Sequence, residues 1–138
     1  MGGDRFLIRM RNHAVGVDQP VEAGGLDGAP TSVELFVGSL ASCVAHYARA
    51  YLARHGIAAD GLQVTADFEV ARRPPRVTNI TVRVQPPAGL PPEQYPAFRA
   101  IASHCSVHNT LLEPPVVSLE LDPAPADASL AAGFSINA

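Results

Sequence analysis

The chain contains no lysine: all ten basic residues among its 138 are arginine, which excludes Schiff-base chemistry on a lysine amine. Sulfur nucleophiles are nearly as scarce, with Cys43 and Cys105 the only two cysteines. Charged residues make up 17% against 47% hydrophobic, a balance that excludes a disordered tail and fits one globular domain with its own core. The formal net charge of −3 argues against nucleic acid or an anionic membrane as the main partner. No apolar run approaches the ~18–20 residues of a membrane span. Met1-Gly-Gly-Asp4 has neither a basic nor an apolar leader segment, and Phe6-Leu7 stands where a myristoylation pattern needs Ser or Thr. A cytoplasmic location is therefore expected. In that reducing compartment two cysteines are more often catalytic, metal-binding or core residues than a permanent bridge.

Periodicity divides the rest of the chain into elements. Arg5 to Arg11 alternates as a strand, with Phe6, Ile8 and Met10 facing the core and Arg5, Arg9 and Arg11 opposite. Asn12-His13 reads as a turn and Ala14 to Asp18 as a second strand, followed by a Gly/Pro-rich loop from Pro20 to Pro30. Thr31-Ser-Val-Glu34 fits a capping box that opens a long helix. Val33, Phe36, Val37, Leu40, Val44, Tyr47, Ala48 and Tyr51 form its apolar stripe, and Gly56 suits its C-terminal cap. The reverse face is small and mild (Gly38, Ser39, Ala41, Ser42, Ala45, His46), so this helix is expected to be buried all round, at the centre of the fold or inside a dimer. Leu62 to Val70 and Val77 to Gln85 read as a hairpin joined through Arg72-Arg-Pro-Pro75. Helical character follows over Pro92 to Ser103 and Ser106 to Leu112, then a last strand over Val116 to Leu121. The order β-β-α-β-β-α-α-β predicts an α+β architecture. Residues 1–122 read as one domain and 123–138 as an appended Ala/Pro-rich tail.

The two sulfurs sit in different settings. Cys43 lies about twelve residues into the long helix, beyond the reach of the macrodipole, so any activation must come from across the fold. Arg11, at the tip of the first hairpin, is the expected cation, with Arg9 second. Cys105 precedes Ser106-Val-His-Asn-Thr-Leu and is expected at or beside a helix N-cap, where N–H groups favour a thiolate. Each cysteine can also be a small core residue. His104, Cys105 and His108, with Cys43, offer zinc-type spacings, but no second close-spaced pair accompanies them, and no metal or cofactor is expected. Glu34 is explained by capping. On a continuous helix it stands ~13 Å along the axis from Cys43.

These segments, in this order, resemble the OsmC/Ohr family. The family's P-x-x-x-E-L pattern before a helical cysteine is similar to Pro30-Thr-Ser-Val-Glu34-Leu35 leading to Cys43. Its second pattern, Cys-Pro-Val-(His or Ser)-x-Thr-Leu, is similar to Cys105-Ser-Val-His-Asn-Thr-Leu111. The resemblance covers roughly residues 4 to 121. It implies an OsmC-like fold with antiparallel sheets packed around the long central helix, in an intertwined homodimer. It also implies a thiol-dependent peroxidase: Cys43 attacks an organic hydroperoxide and becomes a sulfenic acid, Cys105 resolves it, and a lipoyl or thioredoxin-like dithiol reduces the disulfide. An apolar pocket beside Cys43 is expected for alkyl substrates. Two positions depart from the family's peroxidase pattern, Val33 where the Ohr branch carries Glu and Ser106 where it carries Pro. The rival expectation is a stress-related or small-molecule-binding protein on the same scaffold, without turnover.

Overall fold

In the computed structural model, residues 5–127 and 134–136 are described. They form a mixed α+β structure of two small sheets and three helices, in the order β1 (Phe6–Met10), β2 (His13–Val17), α1 (Ser32–Arg54), β3 (Gln63–Arg72), β4 (Pro75–Gln85), α2 (Tyr95–Ser103), α3 (Ser106–Leu112) and β5 (Phe134–Ile136). The chain divides into two compact units, residues 1–35 with 116–138, and residues 36–115.

The first unit is built on the β1–β2 hairpin, with Phe6 opposite Val17, Ile8 opposite Val15 and Met10 opposite His13. This register puts the apolar alternate positions of both strands on one face, as the period-two pattern requires. The turn falls at Arg11-Asn12, and Arg11 takes a left-handed conformation (φ 53°) to make it. β5 pairs in parallel with the other edge of β1, Ile8 opposite Phe134, and the Phe6 and Phe134 rings meet edge to face at 4.8 Å. The Gly/Pro-rich loop is organised by Asp18, whose fully buried carboxylate accepts from the amides of Gln19 (2.8 Å), Leu26 (3.3 Å) and Gly28 (2.9 Å). The Gly28 amide, then that of Gln19, holds this carboxyl below its ordinary value. Gly25 has no alternative here, since a Cβ would stand 2.0 Å from the Gln19 carbonyl oxygen.

The capping box forms as read: the Glu34 amide donates to Thr31 Oγ1 and the Thr31 amide to Glu34 Oε1, both at 3.1 Å. At the other end Gly56 (φ 65°) closes a Schellman motif, with Ile57 N–H on the Leu52 carbonyl at 2.9 Å and Gly56 N–H on that of Ala53 at 3.2 Å.

The second unit packs α1, α2 and the start of α3 around Leu40, Val44, Ala48, Tyr51, Leu52, Leu90, Phe98, Ala102 and Cys105, with Val64, Ile80, Val82 and Val84 of the β3–β4 hairpin against them. The hairpin turns at Arg73-Pro74 and carries a bulge at Glu69/Val70. A 3₁₀ turn over Pro92–Gln94 leads into α2, which places Pro96 in the first turn, where its missing N–H costs nothing.

Two expectations change. α1 buries one face only within a single chain: Val33 and Phe36 of the expected stripe are exposed, as are Gly38, Ser39, Ser42 and His46. The hydroxyls on that face fold back, Ser39 onto the Phe36 carbonyl and Ser42 onto that of Ser39. Val116 to Leu121 is not a strand. Val116, Val117, Leu119 and Leu121 are 95, 86, 91 and 93% exposed. Strand propensity alone cannot order such a segment without a ladder partner, and none is supplied among the described residues. The eighth element is instead β5, drawn from the Ala/Pro-rich stretch.

Candidate functional site

Cys43 and Cys105 come together inside the second unit. Cys43 lies on α1 between the core positions Leu40 and Val44 and is half-buried, while Cys105, at the α2–α3 junction, has no exposed surface. Cys43 packs against the buried cluster that contains Cys105, and the two sulfurs lie near enough to influence each other's charge. Both are free.

The local fold explains how Cys105 is held. Its extended backbone (φ −74°, ψ 158°) makes it the N-cap of α3, and its Sγ accepts the His108 amide at 3.4 Å. The expected capping position is correct, but the electrostatic outcome reverses. Burial pushes the Cys105 thiol above its ordinary value, and the Cys43 sulfur beside it pushes the same way against the opposing His108 N–H. One helix amide cannot offset the lost hydration of a sulfur anion. Cys105 therefore holds its proton to higher pH than a free thiol does.

The histidines near Cys105 each engage a backbone carbonyl through Nδ1. His104 Nδ1 bonds the Ala100 carbonyl and His108 Nδ1 that of Ser103. Since a carbonyl only accepts, each Nδ1 carries a hydrogen. Among the described residues no group of three His, Cys, Asp or Glu side chains is placed to hold a metal ion. Glu34 is occupied in its capping box. Arg11 and Arg9 belong to the other unit, Arg11 at the hairpin turn and Arg9 on β1, both exposed.

A cavity of about 510 Å³ opens in the second unit, within the ~300–1,000 Å³ usual for small-molecule sites. Leu40 and Val44 of α1, Ile80 and Val82 of β4 and Phe98 of α2 line it, with Arg99 and His108 among its polar residues. Neither sulfur is in its wall, although the helix residues on both sides of Cys43 are.

Sequence reasoning passed over one contact at this site. Tyr47 Oη, one turn beyond Cys43, hydrogen-bonds Ser106 Oγ, next to Cys105, at 2.9 Å. A hydroxyl residue one helical turn after Cys43 and another directly after Cys105 were the available signal. Asp18 was missed likewise, though an acid just before a loop rich in glycine amides was its clue.

A family model described as OsmC-like protein matches residues 25–120, more than half of the chain and both cysteines. No curated protein matches. Among solved structures, one from Psychrobacter arcticus 273-4, titled as an osmotic stress induced and detoxification response protein, is similar with a TM-score of 0.66 and 23% identity, over 72% of each chain. A second, titled an organic hydroperoxide resistance protein OsmC from Legionella pneumophila, is similar with a TM-score of 0.52 and 23% identity, over 70% of this chain and 74% of that one.

Proposed function

Because the chain belongs to the OsmC-like family, we propose that it is a thiol-dependent peroxidase that reduces organic hydroperoxides. The observation that carries this reading is the packing of two free cysteines, brought from different helices, into one partly buried cluster. Cys43, the more accessible sulfur, attacks as thiolate on the distal peroxide oxygen. The O–O bond breaks, the alkoxide leaves and takes a proton to become the alcohol, and Cys43 is left as sulfenic acid. Cys105 then attacks that sulfur, water departs, and an intramolecular disulfide remains. An external dithiol, lipoyl or thioredoxin-like, reduces it by exchange. The raised Cys105 thiol suits its place as second to react, since it does not compete as an anion before Cys43 is oxidised. Arg11 is proposed as the cation that supports the Cys43 thiolate. The neighbouring apolar cavity supplies room for an alkyl or aryl group.

A homodimer belongs to the same proposal. The exposed small-residue face of α1 and the unpaired apolar alternation of Val117, Leu119 and Leu121 are surfaces a second copy would bury. A cytoplasmic location is proposed with it. No described helix is long and apolar enough to cross a membrane.

The test is consumption of cumene hydroperoxide with dihydrolipoamide as reductant. Turnover should vanish in Cys43→Ser, stop after one equivalent in Cys105→Ser, and fall in Arg11→Ala. Peroxide loss no faster than with Cys43→Ser rejects the enzyme reading. The cavity favours the second reading in that event, an OsmC-like binding protein without turnover.

A further inference from the structure

The sulfur pair is not the only link between α1 and the start of α3. Tyr47 stands four residues after Cys43, hence on the same helix face one turn, ~5.4 Å, further along. Ser106 follows Cys105 directly as the first residue of α3. Their hydroxyls meet at 2.9 Å. A neighbouring pair of sulfurs and a hydrogen-bonded pair of hydroxyls therefore lie side by side between the same two elements. Only the first changes when the cysteines are oxidised.

The rest of the junction makes the second contact consequential. α2 ends at Ser103, α3 begins at Ser106, and Cys105 is one of only two residues between them. The junction is held on its own side by bonds within α2 and α3: His104 N–H to Ile101 O, Asn109 N–H to Cys105 O, and the His108 ring to Ser103 O. None of these reaches α1. Toward α1, the hydrogen bond of the junction is that of Ser106 with the Tyr47 hydroxyl, with Cys43 packed beside Cys105.

We propose that the Tyr47–Ser106 pair is a positioning device that holds the first turn of α3 against α1 and so keeps Cys105 within bonding reach of Cys43. Resting on the redox reading above, it assigns Tyr47 and Ser106 as positioning residues for disulfide closure. Effective concentration explains how it acts. In the reduced protein without the hydroxyl bond, the junction samples arrangements in which the sulfurs part. The disulfide holds them together whatever the hydroxyls do. Removing the bond therefore loosens the reduced state more than the oxidised one and shifts the equilibrium toward dithiol.

The experiment equilibrates the protein in mixed reduced and oxidised dithiothreitol and measures the fraction of intramolecular disulfide. Tyr47→Phe keeps the ring and its packing, and Ser106→Ala keeps the backbone. Each is expected to lower the equilibrium constant about threefold to tenfold, the factor set by the net worth of one such hydrogen bond. The double variant should lose no more than either single one, because both remove the same bond. Ser106→Thr, which restores a hydroxyl, should recover the wild-type constant, an outcome a general loss of stability would not give. As a second readout, Tyr47→Phe in a Cys43→Ser background should speed alkylation of Cys105 by a similar factor. Single variants that match wild type in both measurements, or additive losses in the double variant, would overturn the proposal. So would a wild-type protein that closes no intramolecular disulfide. A wild type that closes the disulfide but consumes no peroxide would refute the peroxidase reading alone, with Tyr47 and Ser106 still judged by these constants.

Discussion

Closing the disulfide between Cys43 and Cys105 should stabilise the second unit by a predictable amount. The bridge spans about 62 residues, all within the unit of residues 36–115. Loop-closure entropy for that span is worth about 4.3 kcal/mol at 25 °C. Oxidation also removes Cys105 Sγ as a thiol acceptor for the His108 amide, now at 3.4 Å, a loss of roughly 1 kcal/mol. The net expectation is about 3 kcal/mol. Spread over the unfolding entropy of the 80 residues of the second unit, ~0.17 kcal/mol per kelvin, this raises its Tm by about 18 °C. All three tyrosines, Tyr47, Tyr51 and Tyr95, lie in the second unit and the chain has no tryptophan. Tyrosine near-ultraviolet circular dichroism therefore reports the right transition. Oxidised and reduced protein should be melted side by side, with Cys43→Ser in oxidant as control. An oxidised form melting within ~2 °C of the reduced one, or a bridge that non-reducing gels show to be intermolecular, would mean that the thiols do not meet as described.

Other consequences follow from single residues. Thr31→Ala removes half of the capping box and should lower stability by about 1 kcal/mol in denaturant titration. Leu52→Ala, at a position with no exposed surface in the core of the second unit, should cost about 2–5 kcal/mol by the same assay. Gly25→Ala should open the Asp18 loop to limited proteolysis, because its Cβ would overlap the Gln19 carbonyl. The two shifted groups give opposite limbs to the pH profile of stability. Cys105, raised in the fold, contributes fully below the ordinary thiol value near ~8.5–9, and its contribution is lost as pH rises through the raised value. Cys105→Ala should flatten that alkaline limb. Asp18, lowered in the fold, contributes above ~3.8 and is lost as pH falls through its depressed value, so Asp18→Asn should flatten the acid limb.

What the sequence determined by itself is what local chemistry determines. The Thr31 and Glu34 cap, the Gly56 terminus, the first-turn Pro96 and the two hairpins depend on spacing and on turn residues, and each forms, with the first hairpin's turn one residue earlier, at Arg11-Asn12, than the pattern places it. The placement of Cys105 at a helix N-cap was legible for the same reason. The protonation balance of Cys105 was not, because desolvation depends on what packs around the sulfur, including a residue 62 positions away. Nor was the Tyr47–Ser106 bond, which exists only because α1 and α3 meet. Val116 to Leu121 shows the limit most plainly: its alternation reads as a strand, but a strand needs a partner, and periodicity carries no information about where one is. Tertiary structure decided instead that Phe134–Ile136 takes the open edge of β1.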